Sequence, residues 1–229
     1  MKIDLNNFFK FYDAKNPKHV AAVEQLEVDI DPKLIEDSAN WVRIFRTQPE
    51  ILKSTIPAVP FYPQTDNYTL ANSTCNSSSC AMALEFLKPG TLKGAKGDDA
   101  YLRKVLALGS STDHNVQTKV LESYGVYSTW KQNLSFADLD REISLGKPVV
   151  IGILHRGSLN YPTGGHILVV IGKSADSNSY IVNDPYGNLM DGYTTDVYNG
   201  KGALYSKYVL EKRWTVDGPN TGWGRVFVK

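Results

Sequence analysis

Cysteine is scarce in this 229-residue sequence, where Cys75 and Cys80 are the whole complement. Two thiols cannot build a disulfide framework, and they cannot supply a structural zinc site, which usually takes about four Cys/His ligands. The four histidines (His19, His114, His155 and His166) lie far apart and form no HExxH pattern. No metal and no cofactor is expected. Charge of one sign is lacking as well: 25 Lys+Arg stand against 24 Asp+Glu, a net charge of +1. That balance excludes the clustered positive charge on which non-specific nucleic-acid and polybasic membrane binding depend. No apolar run approaches the roughly 18 residues of a membrane span, and the first ten residues hold none long enough for a signal peptide. The expectation is a cytoplasmic chain without an export signal or membrane insertion, and low cysteine usage suits a reducing compartment. What is present is a core: 42% hydrophobic against 21% charged residues is too apolar for disorder. The 18 glycines and 11 prolines are dispersed, so collagen-like and low-complexity classes fall away.

Two unequal parts follow from the patterning. Residues 1–48 are expected to form a helical segment, with Val20, Val23 and Leu26 at a three-residue step and Asp31-Pro32 as a helix start. Pro49, Pro57, Pro60 and Pro63 mark an extended connection into a second part, 49–229. There the helical patterns come first, over 77–87, 98–108, 115–124 and from Ser135 to Gly146. Glycines just past the helix ends and a Ser-Phe-Ala-Asp capping box support these assignments. After Lys147-Pro148 the pattern turns to strands, over 149–154, 166–171 and 180–182, with 174–179 as a hairpin connection. Helices followed by an antiparallel sheet give an α+β fold. The segment 218–224 reads as a surface loop.

Chemistry concentrates on a few residues. Cys75 stands where a helix begins, and helix N-termini favour a thiolate. Cys80, deeper in the same helix beside Ala81 and Met82, reads as a small core residue. A bridge between the two is disfavoured, because five residues of helix turn their side chains about 140° apart. A cysteine nucleophile needs an imidazole, and the imidazole needs an orienting acceptor. His166, after Gly164-Gly165, reads as opening a strand at the sheet's rim. Asp184 ends the next strand, and the two can meet because antiparallel neighbours bring such ends together. His155 is a rival base, at a strand's end with no orienting acid after it, while His114 and His19 read as solvated or helix-end residues.

These motifs resemble the bacteriocin-processing (double-glycine) peptidase-like family of papain-fold cysteine peptidases. The resemblance rests on Gln64 to Asn67, Thr74-Cys75-Asn76 through Ala81-Met82, Gly-Lys-Pro-Val-Val at 146–150, Gly-Gly-His at 164–166 and Asn-Asp-Pro-Tyr-Gly at 183–187. It implies a papain-like fold with Cys75 as nucleophile, His166 as general base and then acid, and Asp184 as the residue that orients the imidazole. It also implies Gln64, eleven residues before Cys75, as oxyanion donor. Asn76-Ser77 departs from the Gly-Pro of many members.

Members are typically fused to a membrane transporter, and no membrane segment is read here. Residues 8–26 resemble a short helical module of bacteriophage cell-wall lysis enzymes. Together these imply a monomeric phage-type endolysin that cuts peptides of peptidoglycan, reaching the wall from the host cytosol at lysis. Two alternatives stay open. One is an intracellular cysteine peptidase acting on proteins or peptides. The other is a non-catalytic peptide-binding protein with a groove formed around Tyr161, Tyr186, Trp214 and Trp223.

Overall fold

In the computed structural model, residues 53–55, 59–174, 177–193 and 196–228 are described, and they belong to a compact unit spanning Ser54–Lys229 apart from Lys53. The expected helical segment 1–48, with His19, lies outside the described residues. Three helices come first: α1 (Cys75–Leu87), α2 (Gly97–Leu108) and α3 (His114–Ser123). Two more, α4 (Phe136–Ser144) and α5 (Lys207–Arg213), lie among the strands. The strands are β1 (Lys53–Thr55), β2 (Ser128–Leu134), β3 (Val149–Ser158), β4 (Tyr161–Ser174), β5 (Ser179–Asn183), β6 (Lys201–Ser206) and β7 (Gly222–Phe227). They form one sheet in the order β2-β7-β3-β4-β5-β6, with β1 paired to β4 off that path. Each pairing along the path is antiparallel, as the α+β reading expects.

Alternation along the central strands decides the layers. Val150, Ile167, Val169, Ile171 and Ile181 belong to one core with Cys80, Met82, Leu84, Tyr101, Val120 and Leu121 of α1 to α3. Val149, Ile151, Ile153, Leu168, Val170 and Val182 belong to a second core with Leu139 of α4, Leu210 of α5 and Trp214. A strand covered on both faces has no polar side to show, which is why 149–154 and 167–171 read as continuous apolar runs. At about 25 cal/mol per Å² of apolar area, each fully buried Leu, Ile or Val contributes roughly 1.5–3 kcal/mol before its entropy cost. Ser135 caps α4 as expected, its hydroxyl accepting from the Asp138 N–H while Asp138 accepts from the Ser135 N–H at 2.8 Å.

Three readings change. Residues 218–221 are a turn as expected, but 222–224 belong not to a surface loop but to the strand β7, between β2 and β3. Glycine disguises it: a Cβ at Gly222 would fall on the Trp214 ring, and one at Gly224 would crowd the Val150 carbonyl. His166 does not open its strand. The hairpin of β3 and β4 extends past the sheet, and His166 stands five residues into β4, opposite Ile153. Two residues of the aromatic groove reading stand apart, because Trp214 is fully buried against Phe136 while Tyr161 stands 80% exposed near the hairpin tip.

Candidate active site

Cys75 is the first residue of α1, a position no residue before it shields from the helix's unsatisfied N–H groups. Burial alone would raise the thiol. A hydrogen bond with His166 and the imidazole's charge outweigh it, helped by the backbone N–H groups of Ile167 and Asn76, and hold Cys75 below the ordinary thiol range. Ser79, one turn into α1, donates its hydroxyl to the Ile167 carbonyl at 3.1 Å, which fixes the helix against the residue after His166.

His166 is 3% exposed, and its Nε2 lies 2.6 Å from Oδ1 of Asp184. An ionised carboxylate only accepts, so Nε2 carries a proton and Nδ1 is left to meet the thiol. Burial would push the imidazole toward its neutral form. The Asp184 carboxylate and the Cys75 sulfur outweigh burial, and His166 is raised above its ordinary value. Thiol down and imidazole up is the pattern of a thiolate–imidazolium pair.

Asp184 is fully buried and fully engaged. Oδ1 accepts from His166 and from the Tyr186 N–H at 2.9 Å. Oδ2 accepts from Tyr205 Oη at 2.6 Å and, at a longer 3.5 Å, from Tyr193 Oη. Burial, followed by the Asp184 charge, raises both tyrosines, so they stay protonated and remain donors. The chain at Asp184 is held from behind, where its N–H donates to the Gly200 carbonyl at 3.0 Å.

Gln64 is 1% exposed and begins a single helical turn ahead of α1. Its N–H donates to Pro185 O at 2.8 Å, and its Nε2 donates to Ala71 O at 2.7 Å. The residue thereby ties the turn after Asp184 to the segment that leads into Cys75. One Nε2 hydrogen is used by Ala71, which leaves the second for another acceptor. Behind that segment the Asn67 amide lies within hydrogen-bond distance of Thr74, Ser78, Asp98 and Asp99.

The profile of the Peptidase_C39 like family matches residues 56–218. The chain belongs to the Peptidase_C39-like family. In fold it is similar to a solved Bacillus anthracis protein described as a C39-like peptidase, with a TM-score of 0.53 at 14% identity. The similarity covers 77% of this chain and 98% of that one. No curated protein matches. Membership makes this C39-like chain one of a family of cysteine peptidases, and Cys75, His166, Asp184 and Gln64 all fall inside the matched span.

The C39-like site also holds residues that the sequence reading left aside. His155 is no isolated strand-end histidine, since its ring stacks on His166 with centroids 4.8 Å apart. Tyr186 and Tyr193 pack edge-on against the same imidazole. Tyr205 was discoverable only through the alternation of Ala203 and Tyr205 along β6, which marks a buried face without saying what it faces. His114 is the first residue of α3, the helix-end position of the sequence reading, and it is half-buried, stacked on Trp130 and 3.2 Å from the Asn76 amide. Burial, then the Arg225 charge, pushes it down to about 4. A cavity of about 680 Å³ lies between the hairpin tip and α5, lined by residues such as Phe136, Pro162, Lys207 and Pro219, but no member of the cysteine site borders it. Among the described residues no His/Cys/Asp/Glu cluster could hold a metal ion, and no helix is long and apolar enough to cross a membrane.

Proposed function

We propose that this chain hydrolyses peptide bonds through Cys75, His166 and Asp184, and that its substrate is the peptide part of peptidoglycan, as in a phage-type endolysin. One observation carries the chemistry: an imidazole whose Nε2 is 2.6 Å from a buried carboxylate, beside a helix-terminal thiol that it holds below the ordinary range. The Cys75 thiolate adds to the scissile carbonyl carbon. The oxyanion that forms is met by the Cys75 N–H and the second Nε2 hydrogen of Gln64, a donor arrangement worth roughly 3–4 kcal/mol in related acyl transfers. The His166 imidazolium gives its Nδ1 proton to the leaving amine, which departs and leaves a thioester. Water then attacks the thioester with neutral His166 as base. The acid is released, and the thiolate–imidazolium pair returns. Asp184 keeps the tautomer and balances the imidazolium without taking the proton.

The wall assignment is supported by the resemblance of residues 8–26 to a lysis-enzyme module. Near-neutral charge gives no electrostatic hold on an anionic wall, so affinity would come from shape and aromatic contact. Purified protein should solubilise crosslinked peptidoglycan, and Cys75→Ala should lower the rate by about three orders of magnitude or more, as loss of a covalent nucleophile does. Mass spectrometry of the released fragments identifies the bond, whether a crosslink or a sugar–peptide amide. Release that is equal with wild type and Cys75→Ala defeats the wall reading.

A further inference from the structure

The catalytic reading uses one imidazole, yet the site contains two. Register explains why. Ile153 of β3 lies opposite His166 of β4, and His155, two residues further along β3, points to the same side of the sheet as its diagonal neighbour. The backbone on either side of His155 is clamped from α5, where the Arg213 guanidinium donates to the carbonyls of Leu154 (2.6 Å), Arg156 (3.0 Å) and Gly157 (3.0 Å). Arg213 is 7% exposed, so this clamp is built into the fold and is no chance surface contact.

We infer that His155 is a positioning residue for the His166–Asp184 pair, covering the imidazole's face and directing the Tyr193 hydroxyl proton onto Asp184. This rests on the cysteine-peptidase reading of Cys75, His166 and Asp184. Two contacts carry it. The ring of His155 lies on that of His166 at 4.8 Å and 23°, a stacked arrangement that resists tilting of the imidazole away from Nε2 contact with Asp184. On its other side, Nδ1 of His155 is 3.2 Å from Tyr193 Oη, and the same hydroxyl donates toward Asp184 Oδ2. A phenol has one proton, and a carboxylate offers none. If Tyr193 gives its proton to Asp184, then His155 must donate from Nδ1, and that bond decides which way the Tyr193 hydroxyl points.

The role needs an uncharged ring, because a cation there would compete with His166 for the carboxylate. The groups that face His155 agree. Burial, then the positive charges of His166 on β4, Arg156 on β3 and Arg213 on α5, depresses it to about 4, with Asp184 the opposing influence. Tyr186 and Tyr193 close the remaining sides edge-on as neutral rings.

The test reads the pH dependence of Cys75 alkylation by iodoacetamide, followed by mass spectrometry of the Cys75 peptide, and needs no knowledge of the substrate. His155→Ala removes both contacts. It should move the alkylation midpoint up by about one pH unit, so that the rate below the midpoint falls about tenfold. His155→Phe restores a stacking ring without Nδ1 and should recover most of that loss. Tyr193→Phe removes the hydroxyl alone and should give a shift no larger than the small one remaining in His155→Phe. Thermal melts of the three variants separate loss of fold from loss of positioning, and His155→Phe keeps the packing volume. Wild-type midpoints in all three variants overturn the inference. A wild-type Cys75 that labels no faster than Cys80 at neutral pH is a different failure, that of the catalytic reading itself.

Discussion

Cys75 and Cys80 sit five residues apart on one helix and are driven in opposite directions. Cys75 is half-buried and Cys80 fully buried, and burial raises both. At Cys75 the imidazole of His166 and the backbone N–H groups of Ile167 and Asn76 supply enough positive character to reverse the effect. At Cys80 burial dominates, and the nearby Arg225 and Tyr101 only moderate it, so that the thiol stays protonated. The difference teaches that residue type and helix membership leave reactivity undecided. What decides it is whether a charge partner is paired to the group at the place where it is buried. Histidine repeats the lesson. His166, against a carboxylate, is raised, whereas His155 and His114, buried near cationic groups, are each pushed down to about 4.

The contrast can be broken at its source. Asp184→Asn keeps the shape of the side chain but removes the charge that sustains the imidazolium, and an amide nitrogen facing Nε2 would favour the wrong tautomer. Hydrolysis should fall by roughly two to four orders of magnitude, as it does when other triads lose this charge. A steady-state rate assay, together with a thermal melt confirming the fold, checks it. A rate within a few-fold of wild type would mean that Asp184 is only a turn residue.

Labelling sharpens the same contrast with less effort. Alkylation of native protein at pH 7 should modify Cys75 at least about tenfold faster than Cys80, since a tenfold ratio is one unit of thiol pKa. The Cys75 rate should already approach its plateau below pH 9, because its thiolate forms below the ordinary thiol range. Peptide-resolved mass spectrometry reads both sites in one sample. Equal rates would remove the distinction between them.

A carboxyl of α2 bonded to α1, Asp98, extends the rule to stability. Ser78 donates to Asp98 at 2.7 Å, and among the described residues no cation offsets the burial of that carboxyl. Burial first, then the neighbouring charges of Asp66 and Asp99, pushes it up to about 6 despite the Ser78 bond. An acid raised in the fold is favoured protonated, so its contribution is complete below the unfolded value near 3.8 and is lost as pH rises to about 6. Asp98→Asn should therefore stabilise the protein by about 1–2 kcal/mol above pH 6.5 and by nothing measurable near pH 4. Denaturant melts at the two pH values test it, and an equal effect at both would show that ionisation is not involved.

Much of this site was legible in the residues because each part carries a local signal. Cys75 opens an uninterrupted helical pattern, and His166 lies on β4 while Asp184 directly follows β5, the next strand of the hairpin. What stayed hidden depends on pairing over distance. His155 meets His166 only because the hairpin of β3 and β4 has one register, and a one-residue slip would send its ring to the opposite face. Tyr205 reaches Asp184 through the pairing of β5 with β6, whose strand pattern is too short to stand out. The glycines of β7 concealed a strand because sequence periodicity counts side chains, and there the missing side chains are what the packing requires.

Gly200 gives that observation a wider consequence. Its carbonyl holds the Asp184 N–H, and a methyl group added to its Cα would collide with the Asp184 carbonyl oxygen and with the backbone of Gly187. The carboxylate is thus registered against a stretch of bare main chain sixteen positions downstream. A relative with every reactive residue in place but a bulkier residue here would carry the signature of an enzyme without its alignment. Judging such chains by their reactive residues alone would count inert proteins among the working ones, and the residue that tells them apart is one with no functional group at all.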